Sequence, residues 1–84
     1  MTATHEARVA TDALLVAIYR DTLGDDTLDL DSDFYEAGGD SLTAFQVTAR
    51  LEAALGLEVP VALVFAYPTP ADLAAVVDAD FGRD

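Results

Sequence analysis

The sequence predicts an all-α fold, a four-helix bundle of three main helices and one short helix, with a long loop between the first and second. Three observations predict it. Apolar residues recur at helical spacing in three stretches. Start and stop signals bracket those stretches. No stretch alternates apolar and polar residues as a half-buried strand does. The 84 residues make a single domain, 1–84, with loosely ordered ends expected at about 1–7 and 80–84.

Residues 1–7 are polar and show no period, so the first helix is expected from Arg8 to Leu23. Thr11, Leu15, Ile18, Tyr19 and Thr22 share one face, and Leu14 widens it. Gly24 follows as a left-handed C-cap. Residues 25–40 carry Asp25, Asp26, Asp29, Asp31, Asp33, Glu36 and Asp40, punctuated by Leu28, Leu30, Phe34 and Tyr35. They lack a helical period and read as a loop, with a short helical turn near Asp33 to Glu36. So long a connection is unusual in a small domain, and its apolar residues are expected to tack it onto the helices.

The second helix is expected from Ser41 to Leu55, with Asp40 as its N-cap and Gly56 closing it. Ala44, Val47, Leu51 and Leu55 form its inward stripe, along a rod of about 23 Å. Pro60 is placed to open a short helix, Val61 to Tyr67, that Pro68 ends. Thr69-Pro70-Ala71-Asp72 then supplies an N-cap, a first-position Pro and an acid at the third position, a capping box with Asp for Glu. Leu73, Val76 and Val77 give the fourth helix its buried face, and fraying is expected from Asp78 to Asp84, with Phe81 a candidate to dock.

Charge and composition exclude several functions. Sixteen acids against four Arg give a net charge of −12. A phosphate backbone needs clustered cations, so nucleic acid is excluded as a partner, and so is an anionic membrane surface. A basic partner is expected instead, because complementary potentials steer encounter. Hydrophobic residues are 52% of the chain, enough for a core. There is no Cys, hence no disulfide, thiol nucleophile or Cys-based zinc site. No apolar run reaches membrane-span length and no signal-peptide core is present, so a cytoplasmic monomer is expected.

The sharpest local feature is Gly38-Gly39-Asp40-Ser41-Leu42. The glycines let the backbone bend and bring no side chain. Asp40 caps, and Ser41 falls in the first turn with its hydroxyl at the end of the bundle. A helix N-terminus suits a phosphate ester, although the Asp40 charge opposes one. The plainer alternative is that Asp40 and Ser41 only start a helix. Serine hydrolysis is excluded: Gly39-Asp40-Ser41-Leu42-Thr43 lacks the second Gly of a nucleophile elbow and follows no strand. The sole histidine, His5, sits in the N-terminal stretch and is no positioned base.

Asp29-x-Asp31-x-Asp33 has the look of a calcium loop, with Asp40 at the twelfth position. Phe34 stands where that loop's turn needs Gly, and Asp40 is shorter than the usual bidentate Glu. No metal site is assigned. Leu42 and Phe45 lie off the inward stripe. Phe45 either packs under the long loop or stands as a partner contact. Ala62, Leu63 and Ala66 cannot all face inward, so apolar surface is expected there too.

These residues resemble the carrier proteins of the thiolation family, most closely the peptidyl carrier proteins of nonribosomal peptide synthesis. The likeness is carried by Asp33-Phe34-Tyr35-Glu36-Ala37-Gly38-Gly39-Asp40-Ser41-Leu42, then Ala49-Arg50-Leu51, Gly56, Pro60, Phe65 and Pro68-Thr69. It runs from about Arg8 to Val77. The resemblance implies that a phosphopantetheinyl transferase, using coenzyme A and a divalent metal, attaches 4′-phosphopantetheine to Ser41, with Gly38, Gly39, Asp40 and Leu42 around it. It implies no catalysis by this chain. The arm's thiol would hold an aminoacyl or related acyl thioester, loaded by an adenylation enzyme and passed to condensation or tailoring enzymes. Leu42, Phe45, Ala62, Leu63 and Ala66 match the family's partner-facing surface. An acyl carrier for polyketide or fatty-acid chains is the alternative within carriers; Gly38-Gly39 and Phe34-Tyr35 favour the peptidyl type. A small calcium-binding protein and an unmodified interaction domain are the readings outside it. Two departures stand out. The third segment is more apolar than the family pattern, and the charge is heavier than an embedded module needs, which looks like a free-standing carrier finding partners by diffusion.

Overall fold

A computed structural model describes residues 2–80, with side chains from Ala10 to Ala79. It holds four helices: α1 (Thr2–Leu23), α2 (Ser41–Leu55), α3 (Ala62–Ala66) and α4 (Pro70–Asp80). No strand occurs among the described residues. α1 packs against both α4 and α2, and α3 rests on α2. The core is built on the predicted stripes, Leu15, Ile18 and Tyr19 of α1, Ala44, Val47 and Leu51 of α2, and Leu73 and Val77 of α4, joined by Val64 of α3 and by Ala74, while Val76, expected on the buried face of α4, is only half-buried. Leu28 and Phe34 come in from the loop, and Val59 from the α2–α3 link.

The helix limits differ from expectation at three places. α1 begins at Thr2, not Arg8. Ala3, Glu6, Ala7 and Arg8 favour helix, and extending an existing helix is far easier than nucleating one, so the missing apolar period does not stop it. The side chain of His5 lies outside those described. α3 is shorter than Val61 to Tyr67. The Pro60 carbonyl accepts from the Leu63 N–H at 3.1 Å, so Pro60 precedes the helix rather than opening it. Tyr67 leaves it at φ −129°, ψ 75°, because a residue before proline is driven out of the α region. Lastly, Asp78 to Asp80 remain helical. The expected docking of Phe81 and fraying of 81–84 fall outside the described residues.

The caps follow the sequence. Thr69 Oγ1 accepts the Asp72 N–H at 3.2 Å and starts α4. Gly24 and Gly56 end α1 and α2 in the left-handed region, and the Gly56 N–H reaches the Glu52 carbonyl at 2.7 Å. The Glu52 carboxylate accepts from the Val59 N–H at 2.7 Å, pinning the α2–α3 link. Arg50 pairs with Asp21 across α2 and α1. Thr11 donates to Asp78 at 2.9 Å across α1 and α4.

The long loop is ordered by its own acids. Asp25 Oδ1 accepts the Thr27 N–H at 2.9 Å, and Asp29 Oδ1 the Asp31 N–H at 2.9 Å. Asp33 Oδ1 accepts from Tyr35 and Glu36 at 2.8 and 3.1 Å. Asp33 thereby caps the expected helical turn, which the Ala37 N–H closes onto the Asp33 carbonyl at 3.0 Å. Leu28 and Phe34 are the apolar residues that tack the loop down, while Leu30 and Tyr35 stay exposed. Hydrogen bonds to backbone carbonyls finish the job: the Arg20 side-chain Nε–H donates to Leu28 at 2.7 Å, the Ala71 N–H to Leu30 at 3.1 Å and the Phe34 N–H to Pro68 at 2.9 Å.

Candidate functional site

The sequence-predicted cluster meets where the loop enters α2. Asp40 is the N-cap, in extended backbone at φ −143°. Its Oδ1 accepts the Thr43 N–H at 3.0 Å, and its own N–H donates to Thr43 Oγ1 at 2.8 Å. This is a reciprocal capping box with Thr at the third position. Thr43 was not singled out in the sequence, since the usual signature carries Glu or Gln there. The Thr43 amide, then its hydroxyl, holds the Asp40 carboxyl below its ordinary value, so it is ionised at neutral pH.

That box changes the electrostatic expectation. The Thr43 amide at the head of α2 already serves the Asp40 carboxylate, whose negative charge sits at the helix end and opposes a second anion there. What it supplies to Ser41 is position and exposure. Ser41 is exposed as the first residue of α2, on a backbone fixed by the box. Gly38 and Gly39 lead into it. Gly38 takes φ 92°, a region L side chains avoid. Gly39 has a different reason: a β-carbon there would fall within 2.6 Å of Phe34 Cε1, and closer to two other ring atoms.

Phe34 is fully buried beneath this turn. Its carbonyl accepts the Gly39 N–H at 2.9 Å. Its ring is met edge-on by Tyr19 at 6.0 Å, Tyr35 at 5.9 Å and Phe65 at 6.3 Å between centroids. Tyr35 and Phe65 stack on one another at 6.1 Å, and the Tyr35 hydroxyl donates to the Phe65 carbonyl at 3.2 Å. This joins the loop to α3. The sequence marks Phe34 only as one of the loop's apolar tacks and Phe65 only by family likeness; contact between positions so far apart leaves no periodic signal.

Beside Ser41 and the exposed Asp40 carboxylate, α2 presents exposed apolar side chains. Leu42 is 66% and Phe45 59% exposed, which decides between the two readings of Phe45: it is not core. Ala62 and Ala66 are exposed, whereas Leu63 is half-buried and packs against the core. Phe65 and Tyr67 are the exposed large apolar residues of this segment. Among the described residues, no three acids or histidines gather as a metal site would require. Asp29, Asp33 and Asp40 are turn and cap formers. No described helix is long and apolar enough to cross a membrane.

Residues 13–77 match the family profile described as a phosphopantetheine attachment site. A probable nonribosomal peptide synthetase of Salinispora arenicola, CymA, is 46% identical over 70 residues, 83% of this chain. The chain spans only 1% of that protein's length. Among solved structures, BlmI of Streptomyces verticillus, a type-II acyl-carrier protein involved in bleomycin biosynthesis, superposes with a TM-score of 0.88 at 28% identity. The match covers 93% of this chain and 94% of BlmI. A peptidyl carrier protein solved in complex with the phosphopantetheine transferase Sfp and coenzyme A gives 0.77 at 29% identity, covering 82% of this chain and 90% of that structure. The chain belongs to the phosphopantetheine attachment site family, as a carrier domain of the kind found in nonribosomal peptide synthetases.

Proposed function

We propose that Ser41 carries the 4′-phosphopantetheine and that the chain is a non-catalytic peptidyl carrier. One observation carries this: Ser41 stands exposed at the head of a rigid helix, with its Asp40 neighbour drawn back onto Thr43. The residues fit the group. Gly38 and Gly39, just ahead of Asp40, add no side chains of their own beside the exposed Ser41 that a transferase must reach. Ser41 Oγ displaces adenosine 3′,5′-bisphosphate from the pantetheine-bearing phosphorus of coenzyme A. One P–O bond forms as another breaks, and the hydroxyl proton leaves to the transferase. When bound, the group supplies a thiol that holds an aminoacyl group as a thioester.

The remainder of the work is presentation. A tether keeps its cargo at high effective concentration near each partner's site. The partners are a phosphopantetheinyl transferase, an adenylation enzyme, and condensation or tailoring enzymes. The apolar patch of Leu42 and Phe45, with Ala62 and Ala66 of α3, supports docking beside the attachment point. Exchange among partners requires contacts few enough to break. The heavy charge supports a carrier that meets its partners by diffusion.

The test is intact mass after incubation with coenzyme A, magnesium and a promiscuous transferase. The expected result is a gain of one phosphopantetheinyl group that Ser41→Ala abolishes. A folded chain that gains nothing refutes the reading. Loading by amino-acid-activating rather than malonyl-transferring enzymes separates the peptidyl type from an acyl carrier.

A further inference from the structure

We propose that Phe34 is a positioning residue for group transfer to Ser41: its buried ring is the stop against which Gly39 sets the height of the turn that presents the hydroxyl. The inference rests on Ser41 being the attachment residue, but its evidence is separate. Phe34 is fully buried and held on several sides. Its N–H donates to the Pro68 carbonyl at 2.9 Å, and its carbonyl accepts from Gly39 at 2.9 Å. Tyr19, Tyr35 and Phe65 meet its ring. A ring so confined cannot step aside.

Gly39 lies directly on it, with no room for one carbon. On the other side, Ser41 belongs to α2, which Ala44 and Val47 seat in the core. Asp40 is the single residue between these two fixed bodies, in extended backbone at φ −143°, ψ −172°. An extended residue transmits a displacement of one neighbour to the other. A methyl group on Gly39 must therefore lift the turn off the ring, and the shift is taken up where Asp40 meets Thr43, at the foot of Ser41. Group transfer requires in-line placement of the attacking oxygen, so small displacements of this kind cost rate.

The experiment measures transferase kcat/KM for each apo-carrier variant, far below the melting temperature of all of them. Gly39→Ala should lower it about tenfold or more. Phe34→Leu combined with Gly39→Ala returns the missing space. That double variant should regain much of the rate while melting below wild type. Val77→Ala, a core truncation in α4 remote in sequence from the turn, should lose stability yet transfer near the wild-type rate. Gly39→Ala transferring like wild type overturns the proposal. So does a double variant no faster than Gly39→Ala, or a Val77→Ala that slows equally. If Gly39→Ala does not fold, Phe34→Leu against Val77→Ala decides: slowing in the first alone supports a positioning role, and equal slowing overturns it. A wild-type chain left unmodified removes the Ser41 reading itself. A modified wild type with an equally competent Gly39→Ala removes only this inference.

Discussion

At Pro68 one carbonyl ties three segments together. It accepts the Tyr19 hydroxyl at 2.8 Å and the Phe34 N–H at 2.9 Å, joining α1, the loop and the α3–α4 link. Tyr19→Phe keeps the ring and removes one of the two bonds, so a loss of about 1 kcal/mol is expected. In a domain this small that is a fall of roughly 4–8 °C in melting temperature. Burial, then the Asp33 charge, pushes the Tyr19 phenol well above its ordinary value. The folded state therefore holds it neutral at pH values where the unfolded chain ionises. Its contribution is complete below about pH 10, the unfolded tyrosine value, and falls away as pH rises beyond it. Denaturant melts from pH 8 to 11 should show that decline, and Tyr19→Phe should flatten it. Phe45 behaves oppositely. At 59% exposure it stabilises little, so Phe45→Ala should stay within about 0.5 kcal/mol of wild type while slowing loading by the adenylation enzyme. A large loss of stability would mean that it is core.

The helices and the loop differ in how far their sequences disclose them. α2 was legible to the residue, because Asp40, the stripe from Ala44 to Leu51, and Gly56 all agree on its limits. α1 was legible in its face but not its start, since propensity extends a helix without any apolar period to mark it. α3 was overextended because the constraint on Tyr67 comes from the following proline, not from its own side chain. Ser41 was legible as a helix-start residue, and the family likeness gave it a chemical role. What lay beneath it was not: Gly39 against Phe34, and Tyr35 against Phe65, are contacts without a spacing rule. The loop acids had a local signal that charge obscured, an Asp followed two or three residues later by the amide it accepts. Counted as a field, they read as steering charge; individually, Asp25, Asp29 and Asp33 are turn formers and Asp40 is a helix cap. This gives the loop an acid limit. Thr27, first through its hydroxyl and then its amide, holds Asp25 low, as Thr43 holds Asp40. Groups depressed on folding stabilise above the unfolded Asp value, near pH 4, and that stability is lost as pH falls below it. Acid melts should show the loss as pH falls below about 4, with Asp40→Asn shrinking it.

Charge across the whole molecule is partitioned, and the partition bears on how partners meet it. Residues 25–40 hold seven acids and no base, whereas residues 41–70 hold only Arg50, Glu52 and Glu58. Ser41, the proposed attachment residue, sits at the boundary. The proposed docking face is thus nearly uncharged, with Leu42 and Phe45 as large exposed residues, and the strongest field belongs to the loop beside it. Apolar burial sets how long a complex lasts and is insensitive to moderate salt; a field sets how fast partners arrive and is screened within about 10 Å at 0.1 M ionic strength. Raising salt should therefore slow association with a basic-faced adenylation enzyme while leaving dissociation nearly unchanged. Phe45→Ala should do the reverse, hastening dissociation with little change in the salt slope. Stopped-flow measurements from about 20 to 300 mM salt separate the two. An association rate indifferent to salt would leave the loop acids with turn formation as their role in recognition, and the net charge of −12 with keeping copies of this chain apart.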